Sequence, residues 1–459
     1  MSVCYESISI SQIGEEKRWD VPFNIELKNL YQKKANLVTI EEISIHITNG
    51  ATPLGAQFFE NGVHFYRAND VKRYSFDYFN HKCISSQQSK TIKRSILRLG
   101  DIVFTIKGKV GDVAVFPENQ EESNINQDNA LIRLKEGYDP YYFCGIFNSK
   151  FGLNQVKAFA TETINPFLGL GNLKKLRLPL LDKELQDSIS NKVKLAINRE
   201  LEALALIKKA QILFYEKLGI DFSKLKKENF FTANLSDFSK ADLWTPAYSY
   251  PLYVNTINCI QKKWKTVPLG EIVTAKGGDE VGSNNYNTYL DKKDSDIPFI
   301  RTSDIVNFEV DQFPDFYIPK EIYQELKQDI KPGDVLFNND GRIGLAAMLT
   351  SQDKIILQSH IKRLRLKKEA IEKYSFTQEF IFLVLTIKEI AIYQAERYKV
   401  IQSTIPTISN HILDFEIPTM DKNSIDDITK IVEKAFEIKD ERKKLIRGVR
   451  EEVDNYFYI

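Results

Sequence analysis

Two short segments of this 459-residue chain pair a glycine turn with side chains that can grip a phosphate or read a base edge. One is Lys107-Gly108-Lys109-Val110-Gly111. The other is Asp340-Gly341-Arg342-Ile343-Gly344, led by Asn338 and Asn339. Small glycine turns bring backbone close to a phosphate, and the neighbouring Lys, Arg and Asn reach phosphates or bases. Arg67 beside Asn69 and Arg301 beside Ser303 each follow an apolar run. An Arg at a strand end can be bidentate to guanine, and an Asn to adenine. More cations gather at Lys72-Arg73 and at Lys90, Lys93 and Arg94. The competing role for each residue is a solvated surface charge or an ion pair within its own domain.

The elements that must position these residues occur twice. Phe65-Tyr66-Arg67-Ala68-Asn69-Asp70-Val71 returns as Phe299-Ile300-Arg301-Thr302-Ser303-Asp304-Ile305, displaced by 234 residues. Gly100-Asp101-Ile102-Val103-Phe104 returns as Gly333-Asp334-Val335-Leu336-Phe337, displaced by 233, as is the glycine turn itself. A period this long means a duplicated domain rather than a solenoid. Both copies keep the turn and vary the residues around it, as two modules reading two targets would.

Within each copy, β-branched stretches broken by Gly, Asn and Pro predict strands at 38–40, 43–47, 63–66, 102–106 and 113–116. Strands are likewise predicted at 267–269, 297–300, 335–337 and 346–349, and helices over 140–160 and 377–398. Leu178-Pro179-Leu180-Leu181-Asp182 and Ile417-Pro418-Thr419-Met420-Asp421 then read as stops followed by N-caps, with Ser424-Ile425-Asp426-Asp427 adding a capping-box pattern. Apolar residues next recur every three or four positions from Leu185 to Leu218 and from Ile425 to Val453, the second series interrupted by Lys439 and Arg442. Two helices of roughly 50 Å are too long to bury their stripes on one small domain, so they are expected to pair antiparallel and set the domains apart.

The domain boundaries read as 1–181 (first recognition domain), 182–220 (first spacer helix), 221–245 (linker), 246–420 (second recognition domain) and 421–459 (second spacer helix). Arg18-Trp19-Asp20-Val21-Pro22-Phe23 resembles Asp242-Leu243-Trp244-Thr245-Pro246-Ala247, so even the lead-in repeats.

Composition excludes little. Sixty-three basic and 62 acidic residues give a net charge of +1, so any basic surface is local. No apolar run reaches the roughly 18 residues of a membrane span, and no signal-peptide pattern opens the chain, so the expected location is the cytoplasm. Cys4, Cys83, Cys144 and Cys259 have no paired spacing and read as core fillers. His46, His64, His81, His360 and His411 show no ligand spacing, so no metal site is expected. There is no Walker A loop and no nucleophile–base constellation, hence no catalytic residue. Phe167-Leu168-Gly169-Leu170-Gly171 fits the pattern of an S-adenosylmethionine loop. Its lead-in is polar where a buried strand is required, its second-half counterpart lacks glycine, and the Asn/Asp-Pro-Pro-aromatic motif of methyltransferases that act on amino groups is absent. A domain-closing loop is expected there.

In the order and duplication of these motifs the chain resembles the specificity subunit of type I restriction-modification systems. The matching elements are Ile297-Pro298-Phe299-Ile300-Arg301-Thr302-Ser303-Asp304-Ile305, the Gly-Asp-Ile/Val-x-Phe and x-Gly-x-x-Gly motifs at 100–111 and 333–344, and each Pro exit into a long helix. The likeness covers essentially the whole chain. It implies an α+β architecture of two tandem mixed α/β target-recognition domains separated by two long antiparallel coiled-coil helices, related by a pseudo-twofold repeat. Each domain would read one half of a split double-stranded DNA site. The implied partners are two modification subunits that methylate adenine and ATP-driven restriction subunits that translocate and cut DNA. S-adenosylmethionine, ATP and Mg would sit on those partners and no cofactor on this chain. The alternative is a standalone methyltransferase/nuclease with its own catalytic site.

Overall fold

The computed structural model describes residues 31, 36–118, 121–161, 165–234, 243–281, 296–326, 328–402 and 405–458. The lead-in at 18–23 lies outside them. The chain forms two compact units, Met1–Glu200 with Arg442–Ile459, and Leu201–Glu441. Both divisions fall inside a long helix, so each unit owns the start of one helix and the end of the other.

In the first unit, β2 (Ser44–Asn49), β10 (Asn129–Leu134), β7 (Ile102–Thr105) and β8 (Val113–Val115) form an antiparallel sheet in that order. β3 (Val63–Tyr66) lies between β6 (Lys82–Ile84), antiparallel, and β9 (Ser123–Ile125), parallel. β4 (Val71–Lys72) and β5 (Ser75–Phe76) make a two-residue hairpin, and β1 (Asn36–Thr39) pairs with β11 (Arg177–Leu180). The core beneath is Tyr66, Val71, Phe76, Val103, Ala114, Ile125 and Leu131.

The second unit repeats every sheet. β13 (Val273–Gly277), β21 (Ile361–Leu366), β18 (Val335–Asn338) and β19 (Ala346–Met348) match the four-stranded sheet. β14 (Ile297–Ile300) lies between β17 (Tyr317–Ile318) and β20 (Ile356–Leu357), antiparallel and parallel as before. β15 (Ile305–Val306) pairs with β16 (Glu309–Val310), and β12 (Thr266–Pro268) with β24 (Glu416–Pro418). One hairpin is added, β22 (Val400–Gln402) with β23 (Ile405–Thr407). This is the α+β, internally repeated architecture expected from the sequence.

The repeated motifs turn out to be structural. Asp101 and Asp334 are both buried. Each accepts the backbone N–H three residues earlier, from Arg98 (2.7 Å) and Lys331 (2.8 Å). Each then binds an arginine of the neighbouring strand through both guanidinium edges: Arg133 at 2.7 and 2.6 Å, and Arg365 at 2.7 and 2.7 Å. A bidentate pair satisfies both carboxylate oxygens and fixes how the turn meets the sheet. Gly50 and Gly278 follow β2 and β13, where a Cβ would lie 2.2 Å from Asn126 O and Leu357 O, so only glycine fits.

The long helices run Lys183–Leu218 and Lys422–Tyr458. Asp182 caps the first by accepting Leu185 N–H at 2.9 Å, as its sequence predicts. At the second, Asp421 is the cap, accepting Ser424 N–H at 3.0 Å and its hydroxyl at 2.7 Å. Ser424 is therefore inside the helix and not a capping-box initiator. The proline segments expected as stops are strands: Pro179 opposes Leu37, and Pro418 opposes Thr266. An edge position tolerates the missing N–H. The helix expected over 140–160 is two helices, Pro140–Phe147 and Lys150–Phe159. Asn148 turns away to donate to Val113 O, and Ser149 caps the second helix.

In the first unit the helix segments run antiparallel: Lys192 pairs with Glu452 (2.5 Å) and, further along, Glu200 with Arg442. Gly145, from Pro140–Phe147, lets that helix settle here; a Cβ would come 2.5 Å from Ile189 and 3.4 Å from Val193 and Val449. In the second unit Ala203, Ile207, Ala210 and Phe214 share one core with Ile425, Ile428, Val432 and Ala435. Lys217 there pairs with Asp427. The interruption of the apolar stripe is also explained. Lys439 is fully buried and sits 3.5 Å from Glu309 of β16, and Arg442 is buried against Glu200. Each domain meets its following helix in the same way. Asp139 accepts from Ser190, and Thr377 bonds Thr429 (2.7 Å), each partner seven residues past its helix start.

Candidate nucleic-acid interface

The glycine turn is built alike in both units. Gly111 N–H donates to Thr105 O (3.0 Å) and Gly344 N–H to Asn338 O (3.1 Å), closing the turn on the strand it leaves. Gly108 donates to Pro166 O (3.3 Å) and Gly341 to Pro406 O (2.9 Å), tying it to a returning loop. All four glycines have φ between +67° and +102°, which favours residues without a Cβ. The loop at 167–171 belongs to this clamp: Phe167 bridges Lys107, Leu168 donates to Ile106 O, and Gly169 precedes a short helix, Leu170–Lys175.

What the turns carry differs. In the first, Lys107 is exposed. Lys109 is largely covered, with its ammonium 3.1 Å from Asp112. Arg73, from the β4–β5 hairpin, donates to the same buried carboxylate at 2.9 Å. In the second, Asp340 replaces Lys107 and sits 2.6 Å from His360 Nδ1. Arg342 is exposed at the position where the first turn covers Lys109. Asn338 is fully buried and donates to Thr302 O (2.8 Å). Asn339 is also buried and donates to Asp340 (3.1 Å). These two amides build the turn; Arg342 projects from it.

Arg67 and Arg301 face inward on their own turns. Arg67 donates to Asp70 through Nε (2.9 Å), Nη2 (3.1 Å) and its backbone N–H (2.9 Å). The Asp70 carboxylate holds the Arg67 guanidinium above its usual range. Arg301 donates its backbone N–H to Asp304 (2.8 Å) and Nη2 to Asp315 (3.3 Å), with its guanidinium 4.0 Å above the Phe316 ring. Asn69 is exposed, Ser303 is half-buried with its hydroxyl near Asp304, and Lys72 is half-buried on the hairpin.

Lys90, Lys93 and Arg94 do come together. They line a cleft of about 580 Å³ with His46, Arg98 and Arg133, and with Glu122 as its acid. Arg94 donates to Gly50 O (3.3 Å) and so ties the cleft to that glycine. His46, Arg98 and Arg133 escaped the sequence reading because they come from three separate elements. Sequence spacing also missed a second grouping: His64, His81 and Cys83 lie within 4.8 Å of one another, against the expectation that no histidines cluster with a metal ligand. The clue was strand pairing, since His64 of β3 lies opposite Cys83 of β6.

Two copies of one scaffold, differing in what a pinned turn displays, define a protein built to present two related surfaces. Residues 261–446 match the type I restriction modification DNA specificity domain. That segment, about two-fifths of the chain, is what resembles the family. No curated protein matches the chain. Among solved structures, it is similar to the S subunit of a type I restriction-modification system from M. genitalium, at 13% identity, 93% of this chain, 96% of that chain and a TM-score of 0.35. It is also similar to the HsdS subunit from Thermoanaerobacter tengcongensis, at 15% identity, 92% and 96% coverage and a TM-score of 0.30. Superpositions this loose transfer nothing from those proteins to this one. No helix among the described residues is long and apolar enough to cross a membrane.

Proposed function

We propose that this chain is the DNA-recognition subunit of a cytoplasmic type I restriction-modification complex, each unit reading one half of a bipartite double-stranded site. The observation that carries the reading is the turn that stays fixed while its display changes. Buried carboxylates, glycines and strand register repeat, whereas Lys107 and Lys109 become Asp340 and Arg342. A protein that reads one half-site twice would repeat the display as well. The exposed cations Lys107, Lys90, Lys93 and Arg94 in one unit and Arg342 in the other are the candidate contacts to DNA.

In this reading the chain performs no chemistry. Two modification subunits dock on the long helices and methylate adenine, and restriction subunits supply ATP-driven cleavage. S-adenosylmethionine, ATP and Mg act on those partners. The long helices are read as a ruler that sets the distance between the half-sites.

The test lengthens both helices together. Seven residues inserted after Leu201 and seven after Glu441 keep each pairing in phase. With an adenine methyltransferase subunit co-expressed, binding is selected from a library of split sites. The expected outcome is unchanged half-sites at a new spacing. Altered bases within either half-site would refute the ruler, and methyl transfer by the purified chain alone would refute the non-catalytic role.

A further inference from the structure

The first unit groups three side chains that are not among the candidate DNA contacts. His64 lies directly opposite Cys83 in the β3–β6 register, so their side chains share one face of the sheet. His81 precedes Cys83 by two residues and points to that face too. A nitrogen from each histidine and the Cys83 sulfur lie within 4.8 Å of one another. The two imidazoles are 4.3 Å apart, centroid to centroid.

The surrounding groups orient both rings. His81 Nδ1 lies 2.9 Å from Asp77 O. A carbonyl can only accept, so Nδ1 carries the proton and Nε2 keeps its lone pair. His64 Nε2 faces Glu121 at 3.7 Å, while its buried Nδ1 has no hydrogen-bond partner. A buried polar atom left unmatched is costly unless something else occupies its lone pair. An outer carboxylate on one histidine and an outer carbonyl on the other are the arrangement that metal-ligating imidazoles use.

We propose that His64 Nδ1, His81 Nε2 and Cys83 Sγ bind a divalent ion of the zinc class, leaving a fourth position for water. Two imidazoles and one thiolate suit a borderline-soft ion with tetrahedral preference, not magnesium or calcium. The thiol proton leaves to solvent when the ion binds. The second unit cannot form this site. The register places Pro298 opposite Tyr317 where the first unit has His64 opposite Cys83. That corner is held instead by Arg301, Asp315 and Phe316. The ion would staple β3, which leads into the Arg67 turn, to β6.

The purified full chain, stripped with a chelator, is titrated with Co²⁺. One equivalent should bind with a thiolate-to-cobalt charge-transfer band, and Zn²⁺ should abolish the band by displacement. Cys83→Ala should lose the band, Cys259→Ala should keep it, and His81→Gln should weaken binding at least about tenfold. X-ray absorption of the zinc-loaded wild-type chain gives a readout that needs no variant: one sulfur with imidazole nitrogens is expected. Absence of the cobalt band in the wild-type chain, its persistence in Cys83→Ala, or a zinc shell without sulfur would each overturn the proposal.

Discussion

The two units solve one structural problem identically and one chemical problem differently. Both bury an aspartate against a bidentate arginine beneath the Gly-Asp motif, and both pin a glycine turn to strand and loop. They diverge at the turn's outward residues and at the corner beside β3 or β14, where His64, His81 and Cys83 stand against Pro298, Asp315 and Tyr317. Repetition in this chain therefore marks scaffold. The residues that repeat most faithfully, Arg67 with Asp70 and Arg301 with Asp304, are committed to their own turns. In the proposed function, half-site identity would then come from positions that do not repeat.

The hardest way to break this equivalence is to remove a repeated carboxylate. Asp101→Ala leaves Arg133 and the Arg98 N–H without their acceptor, whereas Asp334→Ala strips the Lys331 N–H but leaves Arg365 its bonds to Asp329 at 2.8 and 2.9 Å. Losing one partner of a buried pair costs about 3–5 kcal/mol; Arg133 keeps some solvent, so about 3 kcal/mol is expected for Asp101→Ala and about 1–2 kcal/mol for Asp334→Ala. Hydrogen exchange under mild urea should show each loss confined to its own unit. A mutation in one unit that deprotects both would mean the two do not stand as equivalent scaffolds.

Next in size are the glycines where strands nearly touch. Gly50→Ala and Gly278→Ala each drive a Cβ to 2.2 Å from a carbonyl oxygen. The backbone has to shift, at about 1–3 kcal/mol by analogy with overpacking. Equal losses in urea midpoint for the two variants would sharpen the equivalence. A loss at only one would place the repeat in sequence but not in energetics.

Much of this was legible in the sequence. The duplication, the strand positions and the two long helices follow from displaced motifs and apolar spacing, which are local signals. What stayed hidden depends on pairing across distance. Pro179 and Pro418 look like stops because proline lacks a donor, yet an edge strand needs no donor on its open side. Lys439 and Arg442 look like faults in an apolar seam, and their acidic partners Glu309 and Glu200 are not adjacent in sequence. Arg67 and Arg301 each follow a strand, and the fold adds what each touches, Asp70 three residues on and Asp315 fourteen residues on. The His64–His81–Cys83 grouping required knowing that β3 and β6 are neighbours in this register.

The smallest and most diagnostic comparison sets Arg342 against Lys109, which share one place in the repeat. Lys109 is mostly covered and rests on buried Asp112 beside Arg73, whereas Arg342 is exposed. Lys109→Ala should therefore act on the first unit itself. Asp112 keeps Arg73, so the loss should be about 1 kcal/mol of stability with half-site preference unchanged. Arg342→Ala should leave stability within about 0.5 kcal/mol, as exposed substitutions do. Its effect should fall on binding. A base contact would cost about 1–3 kcal/mol and relax one position of the second half-site. A phosphate contact would weaken all sequences alike and reduce the salt slope by about one. Binding across a split-site library at two salt concentrations, alongside urea unfolding, separates these outcomes. If both variants lost preference at the same half-site, two independent readers could not be built into this chain. If Lys109→Ala alone changed base preference, the covered cation would be the reader, and the exposed Arg342 would have to be reassigned to positioning.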